Sequence, residues 1–164
     1  MMRKRKSLDE GHRRKFLVVI DETPECEKAV IYAAKRAART GGALVMLVVI
    51  EPEQFQHWLG VENIMKAEAR DAAAELLAKA DQIVKNSARI EPELVIREGK
   101  TAEEIIAIIE DDEDIAILVL AASPVNEGPG PLVSSLAGQT AGTFSIPVTI
   151  VPGTLSEDDM NAIA

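Results

Sequence analysis

The stretch Phe16-Leu17-Val18-Val19-Ile20-Asp21-Glu22-Thr23-Pro24 decides the fold: five apolar residues without a charge, closed by two acids, a threonine and a proline. A run that short reads as a buried strand, and the polar close reads as a loop with a helix N-cap at or near Thr23. Behind it Val30, Ala33, Ala34, Ala37 and Ala38 keep a helical spacing, and Gly41-Gly42 stands just past its end. A strand that feeds a helix is the first half of a βαβ unit.

The alternation then repeats. Ala43 to Ile50 is eight aliphatic residues ended by Glu51-Pro52, which predicts a central strand. Met65, Ala69, Ala72, Leu76, Ala80 and Ile83 predict a long amphipathic helix, and Leu94 to Ile96 a short third strand. Gly99 is a turn residue, and Thr101 with Glu104 has the spacing of a capping box before Ile105, Ile106 and Ile109. Ile115 to Leu120 predicts a fourth strand. Ala121 to Pro131, with three prolines and two glycines, predicts a long irregular loop. Leu132, Val133, Leu136 and Thr140 mark a last helical face behind Pro131, and Val148 to Val151 a fifth strand. The order βαβαβαβαβ implies an α/β fold, three-layer α/β/α, with a parallel sheet and ligands beyond the strand C-termini.

Composition agrees with this. Of 164 residues 47% are hydrophobic and only 3% aromatic, so the core is aliphatic, as parallel-sheet interiors usually are. The length suits one domain. No apolar stretch approaches the ~20 residues of a spanning helix, so no membrane partner is expected. Without an apolar signal-peptide core, and with one cysteine, Cys26, the expected compartment is the cytoplasm. The net charge is −9, yet the first fifteen residues carry seven basic side chains against Asp9 and Glu10. The organisation expected is therefore a basic arm over residues 1–14, a domain over 15–152 and a polar tail over 153–164 that the fold does not need. The arm, lacking an apolar face, is expected to be solvated and mobile and to lean on the acidic body. That body repels phosphate backbones, which argues against nucleic acid as a partner.

Local motifs mostly dissolve on inspection. Gly99-Lys100-Thr101 ends like a P-loop, but Leu94 stands where the first glycine belongs. Gly128-Pro129-Gly130-Pro131 lacks the third glycine of a dinucleotide fingerprint. His12 and His57 form no metal-ligand or triad spacing, and Cys26, flanked by Glu25 and Glu27, reads as an ordinary thiol. Asp111-Asp112-Glu113-Asp114 reads as a solvated face rather than a cation site. Asp21 ends a first strand, whereas the phosphoacceptor of a receiver domain follows a third. No nucleophile or paired acid and base can be nominated, so the protein is read as not an enzyme, with no catalytic residue and no metal ligand.

Four segments in order, Phe16-Leu-Val-Val-Ile-Asp21 with Thr23-Pro-Glu-Cys-Glu-Lys-Ala29, Leu47-Val-Val-Ile-Glu51, Gly99-Lys-Thr-Ala-Glu-Glu-Ile105 and Ile146-Pro-Val-Thr-Ile-Val151, resemble the universal stress protein family over residues 15 to 152. The resemblance implies an adenine nucleotide alpha hydrolase-like fold, five strands in the order 3-2-1-4-5, a homodimer and, in one branch, an ATP site between the first and fourth strands. It places the adenosine end on Val19, Ile20, Asp21 and Val49, beside the Leu120 end of the fourth strand. The branch's phosphate loop of glycine, two residues, glycine, nine residues, then glycine and Ser or Thr falls here on Ala121, Pro124, Ser134 and Ser135. Only the last keeps its type, and Pro124 offers no N–H. Gly128 and Gly130 supply a substitute loop if the alignment carries an insertion. The implied function is stress response through unidentified protein partners, with weak or lost ATP binding. The alternative is an ATP or AMP sensor, with Mg²⁺ if ATP, whose 122–131 loop responds to ligand. The fifth strand, uncharged from Ile146 to Val151, is the expected dimer edge.

Overall fold

A computed structural model describes residues 3–52, 61–125, 128–139 and 142–164. Five strands, β1 (Lys15–Val19), β2 (Ala43–Ile50), β3 (Glu93–Glu98), β4 (Ile115–Ala122) and β5 (Val148–Pro152), form one sheet in the order β3-β2-β1-β4-β5. Every pairing is parallel, as the alternation of strand and helix requires. The helices are α1 (Cys26–Arg39), α2 (Val61–Ser87), α3 (Thr101–Asp111), the short α4 (Pro131–Val133), which continues as a π-helical turn over Ser134–Gln139, and α5 (Glu157–Ile163). Among the described residues no helix is long and apolar enough to cross a membrane.

The period of two along each strand sorts the core into two layers. Phe16, Val18, Leu44, Met46 and Val48 face α1 and α2, while Leu17, Val19, Val45 and Leu47 face α3 and α4. β4 enters with a bulge, since Lys15 pairs with Ile115 but Phe16 with Ile117. The extra residue, Ala116, leaves Ile115 and Leu118 on one face although they are three apart.

Two expected caps form differently. α1 starts after Glu25 with no side-chain cap, because Thr23 turns back to Asp21 instead. At α3 the capping box is absent: Thr101 is the first helical residue, and its N–H and hydroxyl both donate to Glu51 Oε1, at 3.2 and 2.7 Å. A carboxylate from the end of β2 thus satisfies the α3 N-terminus, and these bonds hold the Glu51 carboxyl below its ordinary range. The loop expected from Ala121 begins two residues later, since Ala121 and Ala122 pair with Val151 and Pro152.

The acidic run is a docking strip rather than a solvated face. Asp111 meets Arg97 at 2.8 Å, Asp112 meets Lys15 at 2.8 Å, Glu113 meets Lys6 at 3.2 Å and Asp114 meets His12 at 2.6 Å. Arg5 donates to the Ile109 and Asp112 carbonyls at the α3 C-terminus. At the other end of the chain, Ser156 and Asp159 form a reciprocal capping box on α5, Met160 is 0% exposed, and Arg39 donates to the Asn161 and Ala164 carbonyls. The polar tail therefore carries two buried apolar residues, Met160 and Ala164.

Candidate functional site

β1 and β4 lie side by side, and the chain leaves each at the same end of the sheet, β1 into the turn before α1 and β4 into the loop before α4. The crevice between them, about 100 Å³, is lined by Val19, Asp21, Leu120, Ala121, Gly130 and, around these, Thr23, Glu25, Cys26, Pro129, Leu132 and Val133. Its floor is apolar because the strand ends are buried. Its shape on one side comes from Asp21, whose Oδ1 accepts the Thr23 N–H at 2.9 Å and the Thr23 hydroxyl at 2.5 Å. On the other side Ser123 N–H donates to the Pro129 carbonyl at 3.1 Å and Ser134 N–H to the Gly130 carbonyl at 3.0 Å. Gly130 has φ +106°, a conformation that glycine adopts without strain.

Of the residues expected at a ligand, five meet here: Val19, Asp21, Leu120, Ala121 and Gly130. Ile20 points into the other core layer and lines a larger groove of about 400 Å³ between α1 and α2, which Asp21 shares. Val49 lies at a third notch beside Glu51 and Thr101. Pro124 packs against Gly153, where an added Cβ would stand 2.9 Å from Pro124 Cδ, and Gly128 is outside the crevice lining. Ser134 and Ser135 are exposed on the π-helical turn and do not line the crevice. His57 lies outside the described residues. The sequence reading missed Thr23, Glu25, Cys26 and Pro129 as lining residues; Leu132 and Val133 were legible only as a helical face.

Among the described residues the charged lining of the crevice is Asp21 and Glu25, with no lysine or arginine. The third ionisable group, Cys26, donates its thiol to the Val19 carbonyl at 3.7 Å. Burial pushes that thiol up to about 11, so it stays protonated at neutral pH and is no nucleophile. The neighbouring groove repeats the sign, with Glu22, Glu27 and Glu75 set against Lys79. No group of three or more potential metal ligands exists among the described residues.

Against known families, the profile of the Universal stress protein family matches residues 12–152, most of the chain. The chain belongs to the universal stress protein family. Solved universal stress proteins share its fold. UspA from Lactobacillus plantarum is 18% identical with a TM-score of 0.68, over 84% of this chain and 97% of that one. A universal stress protein in complex with cAMP is 16% identical with a TM-score of 0.64, over 86% and 98%. One from Archaeoglobus fulgidus in complex with dAMP is 19% identical with a TM-score of 0.57, over 84% and 97%. Among curated proteins no sequence match is found. The strand order and the flanking helices are those of the adenine nucleotide alpha hydrolase-like fold.

Proposed function

We propose that this universal stress protein works in the cytoplasm as a homodimer that associates with protein partners, binds rather than catalyses, and holds ATP weakly or not at all. The observation that carries this reading is the crevice itself. At about 100 Å³ it is well below the ~300 Å³ at which small-molecule sites begin, and among the described residues its charged lining is Asp21 and Glu25 without a cation. A triphosphate there meets like charge, and Pro129 brings no N–H donor. The dimer rests on β5, whose outer edge has no partner strand among the described residues and shows Ile150 40% exposed.

Titration of ATP with Mg²⁺ into the full chain at near-physiological salt tests the first part: no heat is expected at millimolar nucleotide, and micromolar binding overturns it. Light scattering tests the second, with Ile150→Lys expected to halve the particle mass.

A second reading is supported by the cAMP and dAMP complexes of two structural neighbours. It makes the crevice an adenine mononucleotide site, with the base end at Val19, Asp21 and Leu120, and with the loop before α4 moving on binding. AMP then raises the melting temperature and Asp21→Ala abolishes the rise; no rise in the unmutated protein sinks it.

A further inference from the structure

At the opposite end of the sheet, where β1 and β2 begin, a separate cavity of about 310 Å³ is lined by Ser7, His12, Arg13, Arg14 and Thr40 among its polar residues. Among the described residues no carboxylate lines it. We propose that this cavity is a binding site for a phosphoryl anion of phosphomonoester size.

One donor is fixed before any ligand arrives. Arg14 is held twice: its carbonyl accepts the Ala43 N–H at 2.8 Å, and its guanidinium lies 5.6 Å from the centre of the Phe16 ring. Its Nε is nonetheless buried with no hydrogen-bond partner. Among the described residues neither Arg13 nor Arg14 makes an ion pair or a side-chain hydrogen bond, while Lys15, the next residue, has both Glu93 and Asp112. Two adjacent arginines without counterions are anomalous in a chain with 27 carboxylates. Guanidinium groups without a partner keep their N–H donors for an acceptor, and a phosphoryl oxygen is the one that arginine geometry fits. Ser7, 8% exposed, lines the same space.

Three groups bear against the site. Asp114 contacts His12 Nδ1 at 2.6 Å, so a carboxylate stands beside one of the lining side chains. Asp9 and Glu10 share the arm's turn but do not line the cavity. The α1 C-terminus ends at Thr40 with its negative dipole end toward this region, and Arg36 and Arg39 in its last turn offset it. The volume lies at the low end of small-molecule sites, which fits a phosphomonoester better than bare phosphate.

The test uses the full chain. Arginine Nε–H NMR resonances are followed while sodium phosphate, and then glycerol 3-phosphate, is added at ionic strength held constant with sodium chloride. A saturable shift of the Arg14 resonance is expected, with glycerol 3-phosphate the tighter ligand. Arg13→Gln, at an exposed position that folding tolerates, is expected to weaken binding about tenfold, the loss of one charge-assisted hydrogen bond. Asp21→Ala leaves it unchanged. A shift that chloride reproduces, one that never saturates, or one indifferent to Arg13→Gln overturns the proposal. A change of binding in Asp21→Ala, above all a gain, does so too, because it moves the anion to the crevice.

Discussion

At the carboxyl end of the sheet the charged side chains lining the crevice are Asp21 and Glu25, whereas at the amino end the cavity is lined by His12, Arg13 and Arg14. The fold directs attention to the first place, because ligands of open parallel sheets sit beyond the strand C-termini. The signs of the side chains direct it to the second. Topology says where a crevice forms, and the residues lining it say what it tolerates.

Four perturbations break or sharpen this contrast. The largest acts on what both ends share. Leu118, 0% exposed at the centre of the sheet, becomes Ala at a cost of about 2–5 kcal/mol of stability, read by denaturant unfolding. Its effect on phosphate binding and on nucleotide binding should be equal once folded protein is compared. Next, Glu25→Lys removes half the crevice's negative charge and adds a cation. AMP affinity measured calorimetrically should rise about tenfold, while phosphate binding at the amino end stays unchanged. Unchanged AMP affinity means that the sign of the lining does not set phosphate affinity in the crevice.

Smaller effects come from the helix caps that frame each end. Ser156→Ala removes one half of the α5 capping box and should cost about 1 kcal/mol, with faster amide exchange at Met160 and Ala164. Last comes Glu51, whose carboxyl is depressed by the two hydrogen bonds from Thr101. Its stabilisation is full above the ordinary value of 4.5 and is lost as pH falls through the lowered folded value. Melting temperatures taken from about pH 6 to about pH 3 should fall less steeply in Glu51→Gln than in the unmutated protein.

The layers of the fold were legible because the apolar runs are uninterrupted: Ala43–Ile50 has the same bounds in the sequence pattern and in the structure. Caps were not, since Thr101 turns to Glu51, fifty residues away, and sequence spacing offers only the local partner Glu104. Likewise the acidic run near residue 112 looks solvent-facing in isolation, and its partners Lys6, His12, Lys15 and Arg97 come from three other parts of the chain. Five of the eleven expected ligand residues meet, and Val19, Asp21, Leu120 and Ala121 do so because strand ends are placed by register. Ile20 and Val49 line other grooves, and Pro124, Ser134 and Ser135, placed by an ungapped motif spacing, miss the crevice because a loop that turns through Gly128 and Gly130 does not preserve such a spacing.

Gly153 shows how this architecture would look to mutational scanning. A Cβ there would stand 2.7 Å from the Ala122 carbonyl oxygen and 3.0 Å from Glu25 Cβ, so nearly every substitution lifts the tail from the end of β4. In a tolerance map the position would stand out beside Glu25 and the crevice loop, and would pass for a ligand contact. It is a seam where two backbones touch, and its intolerance would persist in a variant that binds nothing.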